Sequence, residues 1–111
     1  MTTTFSPSCT GGSLNGSSEV TLVAAPGAGV RLVKMISVCN VDTAAVVFTL
    51  YVAVGATRYT LWSGTLSVGD TFQLTDGDMV SLPATYSIVG KLAGAAATTN
   101  PTFYASWGDQ A

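Results

Sequence analysis

The sequence predicts an all-β fold, a single small antiparallel β-sandwich of jelly-roll type with about eight strands, preceded by an extended N-terminal arm. Three observations lead there. Apolar and polar residues alternate with the period of two that a half-buried strand requires. Turn-forming residues recur roughly every ten positions. No segment keeps the 3.6-residue period of an amphipathic helix. The 111 residues suit one domain, and a chain of that size hides roughly two-thirds of its unfolded surface on folding.

Residues 1–17 are rich in Thr, Ser and Gly, with Pro7, Gly11-Gly12 and Asn15-Gly16. They show no period and little apolar content, so they are expected to form the arm, and residues 18–111 the sandwich. Val20, Leu22 and Ala24 alternate with Glu19, Thr21 and Val23 before a turn at Pro26-Gly27-Ala28-Gly29. Val30 to Val41 is apolar on both faces, with Ile36 and Val38 on one and Val33, Met35 and Cys39 on the other, as in a strand covered on both sides. After the turn Asn40-Val41-Asp42-Thr43, Val46–Val54 is the clearest strand, its even positions all large and apolar. Gly55-Ala56 leads to a return strand, Arg58 to Trp62, and Val68-Gly69-Asp70 to a short strand, Thr71 to Thr75. Asp76-Gly77 predicts a tight hairpin pairing that strand with Met79 to Leu82, because both residues accept a positive φ. Tyr86 to Leu92 is the next strand and Gly94 to Thr99 a loop. Phe103, Ala105 and Trp107, alternating with Thr102, Tyr104 and Ser106, close the chain.

Charge is the unusual quantity. Asp, Glu, Lys and Arg make up 9% of the chain, against about 25% in ordinary soluble domains. So little charge leaves a monomer poorly protected from its neighbours, so the surface is expected to be covered by other subunits in a homo-oligomer, a dimer or trimer. The four basic residues, Arg31, Lys34, Arg58 and Lys91, are scattered. Nucleic-acid binding needs them clustered to displace counterions, so that class is not expected. Thr43 to Thr57 is too short to cross a bilayer as a helix, and it alternates. The start Met-Thr-Thr-Thr-Phe-Ser-Pro has neither the basic nor the apolar region of a secretory leader. A reducing compartment is therefore expected, with Cys39 a small buried apolar residue and Cys9 unbridged to it.

Catalytic chemistry has few candidates. The chain has no histidine, which removes the commonest general base and zinc ligand together. Asp70, Asp76 and Asp78 are the closest acids, and they read as turn formers bonding their own backbone before they read as an acid–base pair or a calcium site. The expectation is a protein that is not an enzyme and holds no cofactor or metal. The aromatic residues are a different matter. Phe48, Phe72 and Phe103 sit on apolar faces and are assigned to the core. Tyr51 and Trp62 fall opposite their strands' aliphatic neighbours, which makes them interface candidates, with core packing as the other reading. Phe5 and Leu14 are the arm's candidate anchors on an adjacent subunit.

Two stretches carry a likeness: Ile36-Ser37-Val38-Cys39-Asn40-Val41-Asp42-Thr43-Ala44-Ala45-Val46-Val47-Phe48-Thr49-Leu50-Tyr51, and Leu61-Trp62-Ser63-Gly64-Thr65-Leu66-Ser67-Val68-Gly69-Asp70-Thr71-Phe72-Gln73-Leu74. A strand ending in Asn, a short turn, a strand of alternating aliphatics and a Gly-Asp-Thr turn resemble the small β-sandwich virion proteins of tailed bacteriophages. The likeness spans about Val30 to Val89, and it departs at Ala84-Thr85-Tyr86, where such proteins often have Ala-Gly-Asp. The resemblance implies a virion component without catalytic residues, assembled in the host cytoplasm: a capsid decoration (cement) protein contacting itself and the major capsid protein. A tail-tip, fibre or carbohydrate-binding domain is the alternative it leaves open.

Overall fold

The computed structural model describes residues 5–75 and 80–110, with side chains from residue 7 onward. These residues form nine strands and no helix: β1 (Phe5–Ser13), β2 (Val20–Val23), β3 (Val30–Cys39), β4 (Val46–Val54), β5 (Thr57–Leu66), β6 (Thr71–Leu74), β7 (Val80–Leu82), β8 (Tyr86–Leu92) and β9 (Thr102–Gln110). They pack as two antiparallel sheets, one ordered β1-β9-β3-β6 with β7 also on β3, the other β2-β8-β4-β5. The β-sandwich expected from the alternation is therefore what forms. β6 and β7 lie end to end along β3, β6 against Ile36–Cys39 and β7 against Arg31–Val33, both antiparallel to it. Counted as one interrupted strand they leave four strands per sheet, in jelly-roll order. The hairpin expected at Asp76-Gly77 is thus a correction. Those two residues lie outside the described ones, but strands that run the same way along one partner cannot be the arms of a hairpin.

The expected arm is also corrected. From Phe5 to Ser13 it is an edge strand, paired residue for residue with β9. Leu14 follows it into the core, 1% exposed, its N–H donating to the Pro101 carbonyl at 2.9 Å. Composition misled because a strand can be ordered by backbone hydrogen bonds to a neighbour far away in sequence, which side-chain composition does not report.

Register shifts rearrange the faces. Lys34 is an extra residue between the pairs Val33↔Trp107 and Met35↔Ser106. The shift returns Val33 to the face of Ile36 and Val38, and all three are buried, whereas Met35 and Cys39 are half-buried on the other side. A similar shift in β2 buries Leu22 and Val23 in succession. On β4 the alternation holds: Val46, Phe48 and Leu50 are buried. Phe48 sits against Gly90, where an added Cβ would lie 2.9 Å from its ring and 3.2 Å from Leu22. A glycine there is required by close approach, not by its backbone angle.

The crossovers at one end are tied by two buried polar residues. Asn40, 1% exposed, donates from Nδ2 to the carbonyls of Ala44 (3.0 Å) and Leu66 (2.9 Å), and its Oδ1 accepts the N–H of Asp42 at 2.9 Å. Its backbone exchanges hydrogen bonds with Asp70 and Gly69. Asp42, 3% exposed, accepts four backbone N–H groups: Thr43, Ala97 and Thr98 at 2.8 Å and Thr99 at 3.1 Å. Loops 40–45, 66–70 and 97–99 are thereby fastened to one another.

Leu14→Ala and Phe48→Ala should each destabilise the fold in urea unfolding, by about 2–5 and about 3–5 kcal/mol respectively. Deleting Met1–Ser17 should lower the melting temperature, since it removes both β1 and Leu14; an unchanged value would return this segment to the status of an arm. The hydrogen bonds from Thr99, Ala97, Thr43 and Thr98 hold the Asp42 carboxyl at about 2, below its usual 3.8. A carboxylate with a depressed pKa stabilises the fold fully above its ordinary range, and that contribution is lost as pH falls from about 4 towards 2. The melting temperature should drop over that interval. Asp42→Asn should melt lower at neutral pH and show a shallower acid drop, which differential scanning calorimetry of both proteins measures.

Candidate interaction surfaces

Each charged side chain among the described residues has a partner within the chain. Arg58 grips Glu19 with both branches, Nε to Oε2 and Nη2 to Oε1 at 2.8 Å, and also donates to the Gly55 and Thr57 carbonyls. That hydrogen bond lowers the Glu19 carboxyl. Lys91 lies 5.8 Å from the Tyr51 ring centre. On the other sheet Arg31 binds Asp109 at 2.7 and 3.0 Å and the Ala24 carbonyl at 2.6 Å, its guanidinium 4.9 Å from the Trp107 ring centre. The Arg31 bond lowers Asp109 in turn. These half-exposed pairs add little stability individually. Their effect is on the surface, where the described residues leave no cluster of unneutralised charge.

The most distinctive surface feature is an aromatic mouth between the sheets, where β5 and β6 run along the same side. Trp62 and Phe72 lie with ring centres 4.7 Å apart, and both reach the buried Phe48, at 6.0 and 5.9 Å. Leu61, Trp62, Phe72, Gln73 and Leu74 line an open groove of about 360 Å³. A register shift makes it. Leu50 pairs with Trp62 and Tyr51 with Thr60, leaving Leu61 as an extra residue. Trp62 consequently turns to the core face beside Leu50, and Leu61 is left 38% exposed. Gly64 completes the seat, since a Cβ there would stand 2.8 Å from the indole. Farther along β5, Tyr59 is 58% exposed.

The interface candidates separate in the structure. Trp62 is not opposite its aliphatic neighbours as expected; it packs against the core from the rim, half-buried. Tyr51 does lie on the outer face of its sheet, half-buried, opposite Val89 and Thr60. Leu14 is a core residue of its own domain, which removes it as an anchor for a neighbour. Phe5 belongs to β1, and its side chain is outside the described residues. Nothing brings these four together into one site. Sequence reasoning missed Leu61 and the coupling of Phe72 to Trp62, because both depend on the shift in β5, which no local residue announces. Asn40 and Asp42 read only as turn formers.

Among the acids, Asp70 is a turn former as expected, accepting the Ser67 N–H at 3.1 Å; Asp76 and Asp78 lie outside the described residues. A second groove, of about 260 Å³, runs from Asp42 past Ala44, Val47 and Ala93 to Ala97. Its one carboxylate is already occupied by the backbone N–H groups of the loops. Both thiols are free, Cys9 exposed and Cys39 half-buried. They lie on one sheet but two strands apart and far out of register, Cys9 opposite Ser106 and Cys39 opposite Thr102. A hydrogen bond with the Cys9 thiol raises the Tyr104 phenol.

No family model matches the chain, and no curated protein matches it. Solved structures do. One belongs to the Bacillus endospore appendages, described as a family of disulfide-linked pili; it superposes with a TM-score of 0.54 at 11% identity, over 97% of this chain and 88% of that one. Another belongs to the capsid asymmetric unit of cyanophage Pam1, with a TM-score of 0.40 at 15% identity, over 97% of this chain and 84% of that one. At 11% identity the first likeness speaks for the shared β-sandwich fold alone.

Proposed function

We propose that this chain is a non-catalytic structural subunit of a virion, a decoration protein that binds the outside of a bacteriophage head and cements its subunits. The observation that carries the reading is the sparsely charged surface. Each described charge is satisfied within the chain, while Val41, Val47, Tyr59, Leu61, Val68 and Tyr104 remain exposed. Such a surface suits contact with other neutral protein better than solvent. The phage likeness of Ile36–Leu74 adds the virion, and the 9% charge adds the need for partners. Attachment would consist of several small contacts, each weak, acting multivalently across a lattice. The aromatic groove fits protein better than sugar, because Gln73 is its single polar side chain and a sugar site needs several convergent ones.

A second reading is favoured by one observation, the exposed and unbridged Cys9. A subunit of this fold that assembles into an appendage, as its Bacillus counterpart does, would use an exposed thiol between copies.

The test is co-sedimentation with expanded, empty phage heads stripped of decoration protein. Saturable binding that raises the melting temperature of the heads is expected. Heads that pellet without the protein would overturn the decoration role, and a ladder of disulfide-linked multimers on non-reducing gels would turn the assignment to the second reading.

A further inference from the structure

Each sheet of the sandwich ends in one long strand whose outer backbone has no partner among the described residues. In one sheet it is β1, nine residues paired only with β9; in the other it is β5, ten residues paired only with β4. They lie on opposite sides of the molecule, β1 beside the short β2 and β5 beside the short β6. Free edges of this length are normally protected by charges, prolines, bulges or brevity. β1 carries no charge, and its only proline is Pro7. β5 carries Arg58 at its start, turned to Glu19, and a bulge at Leu61. Beyond these guards Ser8–Ser13 and Trp62–Leu66 are bare. The aromatic groove opens beside the second of these stretches.

From this arrangement we infer that β1 of one copy pairs with β5 of a second copy, continuing the sheet across the contact and covering the Trp62–Phe72 mouth. The inference rests on the reading of the chain as an assembling subunit and names its partner. A second copy is the occupant because the two bare stretches differ in length by a single residue and both are uncharged, so each molecule supplies both halves of the contact. The dimensions agree: the molecule measures 52 × 27 × 20 Å, and a side of 52 by 20 Å accommodates a standard interface of about 800 Å² per partner. Main-chain hydrogen bonds supply the affinity in such strand addition. With two different edges meeting, the contact is head-to-tail, so it closes into a ring or grows into a chain and does not stop at a dimer.

Lysine placed on either edge tests this. Leu61→Lys/Thr65→Lys guards β5. Gly11→Lys/Ser13→Lys guards β1; both sites are exposed, and a Cβ at Gly11 meets nothing closer than 3.6 Å. By analytical ultracentrifugation the wild-type protein should form species larger than a dimer, and each double variant alone should sediment as an 11.3 kDa monomer with an unchanged circular dichroism spectrum. Mixing the variants leaves one intact β1 facing one intact β5, so the mixture should give a one-to-one dimer and nothing larger. As a check without substitutions, backbone amides of Ser8–Ser13 and Trp62–Leu66 should become protected from hydrogen exchange only on assembly of the wild-type chain. A wild-type monomer up to its solubility limit, a guarded variant that still assembles alone, or a mixture that stays monomeric would overturn the inference. A monomer that nonetheless binds heads would leave the decoration role standing and remove only this contact. Assemblies with the predicted mixing behaviour that ignore heads would do the reverse.

Discussion

Four backbone N–H groups converge on the carboxylate of Asp42, and the architecture depends on that convergence. A jelly roll passes its chain from one sheet to the other at the ends of the sandwich, where strand pairing no longer satisfies the backbone. Here loops 40–45, 66–70 and 97–99 meet at one end, and they contain mostly Ala, Ser, Thr and Gly, which have no apolar bulk to hold them. The Asp42 carboxylate gathers 97–99 to 43, and Asn40 joins 44, 66, 69 and 70 to the same point. A buried carboxylate is costly unless its lone pairs are filled. Four N–H donors fill them, so the charge becomes a rigid clasp instead of a liability.

Three register shifts then decide what the core and surface contain. A strand with no shift presents alternate residues to each face, and a one-residue slip inverts that assignment for everything beyond it. The shift at Lys34 brings Val33 into the core with Ile36. The one in β2 places Leu22 and Val23 both inside. The one at Leu61 turns Trp62 inward against Phe48 and Phe72 and leaves Leu61 at the rim. The first two make the interior larger than simple alternation provides, and the third opens it to one side. The aromatic mouth is therefore a product of the same irregularity that completes the core.

The charges work in the opposite sense. Arg58 neutralises Glu19 and Arg31 neutralises Asp109, and Lys91 lies over the Tyr51 ring. What remains on the described surface is sparsely charged, with long strand edges, exposed Tyr59 and Tyr104, and a groove of mostly apolar side chains. Little on such a surface repels a copy of itself. Interior clasp, bulged strands and uncharged edges are thus three consequences of the same strand arrangement.

The sequence by itself determined the β class, the strands from Val20 onward to within a few residues, the core role of Phe48 and the poverty of charge. All of these are local properties: period-two alternation, turn residues and composition act within a few positions of themselves. Tertiary structure alone decided that Phe5–Ser13 is a strand, that Leu14 is core, that β6 and β7 follow one line along β3, and which way Trp62 faces. Each of these depends on a partner distant in the chain. The β1 backbone bonds to β9, about a hundred residues away in sequence, and the register of β5 is set by its neighbour β4. Asn40 and Asp42 show the same division within single residues. Their turn propensity is written locally, but four N–H donors can meet one carboxylate only after loops 40–45 and 97–99, far apart in sequence, have been brought to the same end of the sandwich.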